Sequence, residues 1–164
     1  MSAFLLSIHV LAAILTIGPV AVAASMFPRF ARLALATPDE PQSGAVARIL
    51  HRVTRVYAAI GVLVPVFGLA TAASIGVLGD VWLIASMILT AAAAILLIAL
   101  ILPNQARVIR ALGAGGDAAD PAPGSSPTGI ARRLGMLTGV FNLLWAIVVV
   151  LMIYRPGSTA GVGL

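Results

Sequence analysis

Four runs of apolar residues, at 3–26, 57–78, 81–103 and 134–154, contain not one Asp, Glu, Lys or Arg and take up more than half of the 164 residues. Each is close to the about 20 residues a helix needs to cross ~30 Å of hydrocarbon. A helix closes its own backbone hydrogen bonds and so can cross, whereas a charge among lipid tails is costly. All ten basic and five acidic side chains fall between or beyond the runs. The pattern predicts an all-α chain: an integral membrane four-helix bundle, antiparallel, in a single transmembrane domain over 1–164.

Composition agrees. The chain is 61% hydrophobic and 9% charged, against about 25% charged residues in ordinary soluble domains. Every basic residue is Arg, and with Ala/Gly-rich usage this suggests a GC-rich bacterium as source. On a soluble chain a net charge of +5 would raise nucleic acid as a partner; here the arginines flank apolar spans, where they set orientation and meet anionic headgroups, so no nucleic acid is expected. With no cysteine, disulfides, thiolate metal sites and covalent c-type haem attachment are excluded. The first run begins at Ala3, ahead of any basic region, and is longer than a signal-peptide core of ~7–15 residues, which predicts a retained first helix.

The arginines also predict sidedness. Arg29, Arg32, Arg48, Arg52 and Arg55 lie between the first and second runs, and Arg107, Arg110, Arg132 and Arg133 between the third and fourth. Only Arg155 falls on the other side, and the link between runs two and three is just Gly79-Asp80. The positive-inside rule then places both long connections in the cytoplasm of a bacterial plasma membrane and both termini outside, with anionic lipid near the clustered arginines. The Gly-, Pro- and Ser-rich stretch 113–129 reads as a flexible cytoplasmic linker. Thr37-Pro38-Asp39-Glu40-Pro41 reads as a helix-breaking turn, followed by an amphipathic lead-in from Gly44 to Arg55.

Between helices in lipid, small residues that permit close backbone approach supply much of the packing. Gly68, Ala72 and Gly76 recur at four-residue spacing on the second helix, and Gly135 and Gly139 form a GxxxG pair on the fourth, a face suited to packing within the chain or to a homodimer seam. Asn142, inside the fourth helix, is expected to hydrogen-bond across to a neighbour. Pro19 and Pro65 are expected to kink helices one and two.

His9 is the one ionisable side chain within a run, about 9 Å from the helix end at 1.5 Å per residue. A histidine at that depth is a candidate haem or metal ligand or proton carrier, or else bonds a neighbouring carbonyl. Asp80 belongs to the same membrane face. His51, among Arg48, Arg52 and Arg55, is expected to be solvated, and some 25 Å of helix rise separates it from His9, so the two cannot clamp one haem. A haem on His9 would need a second copy of His9 or a weaker ligand such as Met87 or Met152. No paired carboxylates lie in the runs, and no HExxH, Walker or Ser/His/Asp pattern is present.

The opening Ile8-His9-Val10-Leu11-Ala12-Ala13-Ile14, continuing through Gly18 to Phe27-Pro28-Arg29, resembles a bacterial family of small four-helix membrane proteins of unknown function. So does the closing stretch from Thr138 through Asn142 and Trp145 to Arg155-Pro156-Gly157. A looser likeness links His9-Val10-Leu11 and Pro28-Arg29 to copper-resistance D membrane proteins and to the haem-binding protoporphyrinogen oxidases of bacterial membranes. The oxidase resemblance implies a haem ligand in the first helix, which maps onto His9; the oxidase pattern also carries a Lys, and this chain has none.

These readings together favour an accessory or assembly subunit of a larger membrane complex, respiratory complexes among them, and not an enzyme. The alternative is a membrane protein that binds b-type haem or a metal through His9.

Overall fold

The computed structural model describes residues 2–113 and 126–157. Most of the linker expected over 113–129 lies outside the described residues. Four helical segments, Ala3–Ala36, Pro41–Ile75, Val81–Gly113 and Pro127–Tyr154, are long and apolar enough to cross a bilayer. The protein is all-helical, with no strand among the described residues, and is an integral membrane protein.

The helices run beyond the apolar runs. Helix α1 (Ser2–Ala36) has 35 residues and contains both Pro19 and Pro28; at 1.5 Å per residue it spans about 52 Å, well over the hydrocarbon thickness. Its last turns carry Arg29 and Arg32, whose charges a helix tolerates once it has left the lipid. The Nε of Arg32 donates back to the Pro28 carbonyl. A turn closed by the Glu40 N–H on the Thr37 carbonyl leads into α2 (Pro41–Ile60), with a proline in its first turn where no intrahelical N–H is needed.

Pro65 explains the break that follows. It has no N–H to offer the Gly61 carbonyl, and the Val64 N–H takes that acceptor instead, at 3.1 Å. The tightened turn separates α2 from α3 (Leu63–Ile75) within one membrane-length segment. Gly76 then ends α3 at φ +73. Its N–H bonds the Ala73 carbonyl and that of Val77 bonds Ala72, the paired closure that a residue without Cβ allows in the left-handed region.

Pro103 has a comparable effect on the third segment. Helix α4 (Val81–Ile95) passes into a π-helical turn, Leu96–Ile101, and then into α5 (Leu102–Gly113). The ring of Pro103 crowds the preceding turn and cannot donate to it, and widening that turn is one way to keep a helix continuous past a proline. Helix α6 (Pro127–Tyr154) starts on Ser126, whose Oγ accepts the Gly129 N–H, and ends on Arg155 in the left-handed region.

Ala34 lies against Gly44 beside the turn, and His9 meets Val64 and Gly68 near the other end, so the second segment returns along the first. Helix α6 also packs on α1, with Gly135 near Pro28 and Asn142 bonded to Ser25. The core is built at helical spacing from Val20, Ala24, Phe27 and Ala31 of α1 and Ala131, Leu134, Leu137 and Phe141 of α6, with Ala93, Leu97, Ile101 and Val108 against them. The alanines let the backbones approach, and dispersion contacts rather than water exclusion then hold the helices. Ile14, Val81, Ile88, Leu143 and Ile153 point outward, as side chains facing acyl chains should.

Candidate functional site

His9 sits where α1 crosses the start of α3. Its Nδ1 lies 2.8 Å from the Val64 carbonyl oxygen. A carbonyl only accepts, so Nδ1 carries the proton and donates, and in the neutral tautomer that this bond selects the lone pair lies on Nε2. Room for the imidazole comes from Gly68: a Cβ there would stand 2.9 Å from the His9 Cε1 and 3.1 Å from Nδ1. Gly68 therefore acts as the seat of a half-buried histidine that ties α1 to α3.

Anchoring one imidazole nitrogen to a carbonyl while the other keeps its lone pair is the arrangement that orients histidine ligands. No group of three or more His, Cys, Asp or Glu side chains able to hold a metal ion occurs among the described residues. Asp80 makes a different contact, accepting the Trp82 Nε1–H at 2.9 Å.

The remaining small residues of the second segment diverge. Ala72 is buried against Trp82 and Leu83, whereas Gly76 caps α3, and a Cβ there would meet nothing within 4 Å. On α6, Gly135 and Gly139 are exposed on the outer face of the bundle. A Cβ at Gly135 would reach only Pro28, at 4.0 Å, and one at Gly139 nothing within 4 Å. Asn142 continues this face; its Nδ2 donates to the exposed Ser25 Oγ at 2.9 Å. Its Oδ1 and the nearby Trp145 Nε1 are buried with no hydrogen-bond partner.

A second histidine contact was not legible from sequence. His51, expected to be solvated, bonds through Nδ1 to the Oε1 of Gln105 at 3.1 Å. Gln105 is fully buried and its Nε2 has no partner. The available signal was periodicity: Leu97, Ile101, Gln105 and Val108 fall at helical spacing on one buried stripe, but only if the helix continues past Pro103. A buried donor without an acceptor costs about 1–3 kcal/mol. Gln105→Leu, which removes that donor together with the His51 bond, is expected to unfold within about 1 kcal/mol of the parent. Gln105→Ala, which also opens a cavity, is expected to lose about 2–3 kcal/mol. Detergent-micelle unfolding titrations measure both; equal losses for Leu and Ala would mean that Nε2 has a partner.

His9 and His51 are thus held by separate carbonyl partners, one on α3 and one on α5, and the structure does not bring them together. The family model described as "Predicted integral membrane protein (DUF2269)" matches residues 3–156. Neither a curated protein nor a solved structure matches.

Proposed function

The chain belongs to the DUF2269 family of predicted integral membrane proteins, and from that premise we propose that it is a non-enzymatic docking subunit whose α1–α6 face receives a transmembrane helix of a larger membrane complex. One observation carries this reading: the Gly135–Gly139 ridge faces outward with no side chain of its own bundle over Gly139. Close backbone approach is the main way helices gain contact in lipid, and an unused glycine ridge offers it to a partner. The Ser25–Asn142 pair lies on the same face, and the exposed Ser25 hydroxyl offers a polar contact to a partner helix carrying a hydroxyl or amide. The arginine distribution supports an orientation with both arginine-bearing connections in the cytoplasm of a bacterial plasma membrane.

Affinity purification in mild detergent tests this. The parent is expected to retain a second membrane subunit, and Gly139→Leu to lose it while Val66→Ala, exposed on α3, keeps it. A lone monomer, or an assembly indifferent to Gly139→Leu, overturns the reading. Because the sequence has no cysteine, Gly139→Cys provides a single crosslinking site. A disulfide-linked pair of Gly139→Cys chains in place of a second subunit would make the occupant another copy of this chain.

The anchored Nδ1 of His9 favours a second reading, in which Nε2 ligates a b-type haem; such a group would supply electron transfer there. Purified protein is then expected to show a Soret band that His9→Ala abolishes. No band in the parent removes this reading.

A further inference from the structure

We propose that the cleft between the start of α1, the end of α3 and Arg155 binds the phosphate of an anionic membrane lipid, with the Arg155 guanidinium as its receptor. The cleft has a volume of about 270 Å³ and is lined by Ala3, Leu6, Thr71, Ile75 and Arg155. It lies just beyond the His9–Gly68 contact, since Leu6 precedes His9 by three residues and Thr71 follows Gly68 by three. That volume is below the ~300–1,000 Å³ of sites that enclose a whole organic ligand, and it suits a head group whose remainder stays in the bilayer.

Arg155 is the single basic residue beyond the fourth apolar run, at the opposite end of the bundle from the other nine arginines. Two contacts hold its side chain, on a backbone that is itself fixed at the end of α6. Its backbone caps α6 at φ 44, ψ 57, a region that few residues other than glycine adopt. Its Nε donates to the Met152 carbonyl at 3.4 Å. Its guanidinium carbon lies 5.5 Å from the centroid of the Trp82 ring, a cation–π distance. Trp82 is itself buried and pinned through Nε1 to the Asp80 carboxylate.

This bracing leaves the two terminal nitrogens of Arg155 with no acceptor and no ion pair among the described residues. A half-buried guanidinium at a membrane boundary needs acceptors, and its planar fork matches two phosphate oxygens. The walls argue for a lipid as the source. Leu6 and Ile75 are 40% and 41% exposed, so each lines the cleft and also faces the bilayer, where acyl chains attached to the phosphate would continue.

The test reconstitutes the full chain in a Trp145→Phe background, which leaves Trp82 as the one tryptophan. Phosphatidylcholine vesicles carry either brominated phosphatidylglycerol or brominated phosphatidylcholine at equal bromine content, and Trp82 quenching is read. Phosphatidylglycerol is expected to be preferred roughly fivefold, the scale of one interfacial cation on an anionic lipid. Arg155→Gln is expected to abolish the preference, and Arg155→Lys, which keeps the charge but loses the fork, to retain only part of it. Equal quenching by the two lipids, a preference that survives Arg155→Gln, or full retention in Arg155→Lys overturns the proposal. Inorganic phosphate is titrated in parallel; a phosphate-dependent change in Trp82 emission without any lipid preference would place the anion in solution and overturn the lipid assignment.

Discussion

Gly68→Leu is expected to dislodge His9 and to destabilise the bundle by about 1–3 kcal/mol, the range for forcing carbon into a filled interior. The Cβ alone would come within 2.9 Å of the imidazole, closer than a packed carbon can stand. Either the ring turns away and surrenders its bond to the Val64 carbonyl, itself worth about 0.5–1.5 kcal/mol, or α3 moves off α1. The cause can be isolated, because His9→Ala vacates the space that Leu would occupy. In a double-mutant cycle followed by unfolding in micelles, the pair is therefore expected to lose less than the two single changes summed. Strictly additive losses would show that His9 and Gly68 do not touch. If His9 also ligates haem, Gly68→Leu should weaken the Soret band in step with stability.

Phe27→Ala is expected to cost about 3 kcal/mol, near the low end for deleting a buried phenyl ring. The low end is appropriate because a bilayer removes most of the transfer contribution: a side chain leaving the core would enter acyl chains, not water, so what is lost is dispersion contact across the cavity. Phe27 is fully buried, in one cluster with Val20, Ala24 and Ala31 of its own helix and Ala131, Leu134, Leu137 and Phe141 of α6. Phe4, on the same helix but 69% exposed, is the internal control. Phe4→Ala is expected to leave the unfolding midpoint almost unmoved, since lipid fills the vacated space. Similar losses at the two positions would contradict the assigned core.

The membrane class and the four helices were legible because exclusion of charge from a span is a local property: absence of Asp, Glu, Lys and Arg over 3–26 or 134–154 is visible residue by residue. Legibility stopped where a helix leaves the lipid. Arg29 and Arg32 looked like the onset of a loop, yet water tolerates charge on a helix as readily as on a coil, and α1 continues to Ala36. Pro65 signalled a kink and Pro103 did not, although each deprives one carbonyl of its donor; the difference lies in how the neighbouring turn adjusts, by tightening at Gly61 and by widening over Leu96–Ile101. Contacts between distant segments were the least legible. Depth marked His9 as a candidate, but its acceptor, Val64, is 55 residues away. The His51–Gln105 bond spans 54 residues and depended on a helix continuing through a proline. Likewise the GxxxG spacing named Gly135 and Gly139 without indicating which side of α6 the bundle would cover.

The widened turn at Leu96–Ile101 gives the third segment an unusual kind of constraint. One surplus residue puts the two halves of that rod out of phase by about 100°, so that Trp82 faces its neighbours at one end while Gln105 faces His51 at the other. The six side chains in the turn are all aliphatic, and exchanges among them alter little beyond Leu97 and Ile101, the two that are buried. Their number is another matter: shortening the stretch by one would restore an ordinary helical pitch and swing one terminus away from its contacts. In this part of the protein, what must be preserved is a count rather than a composition.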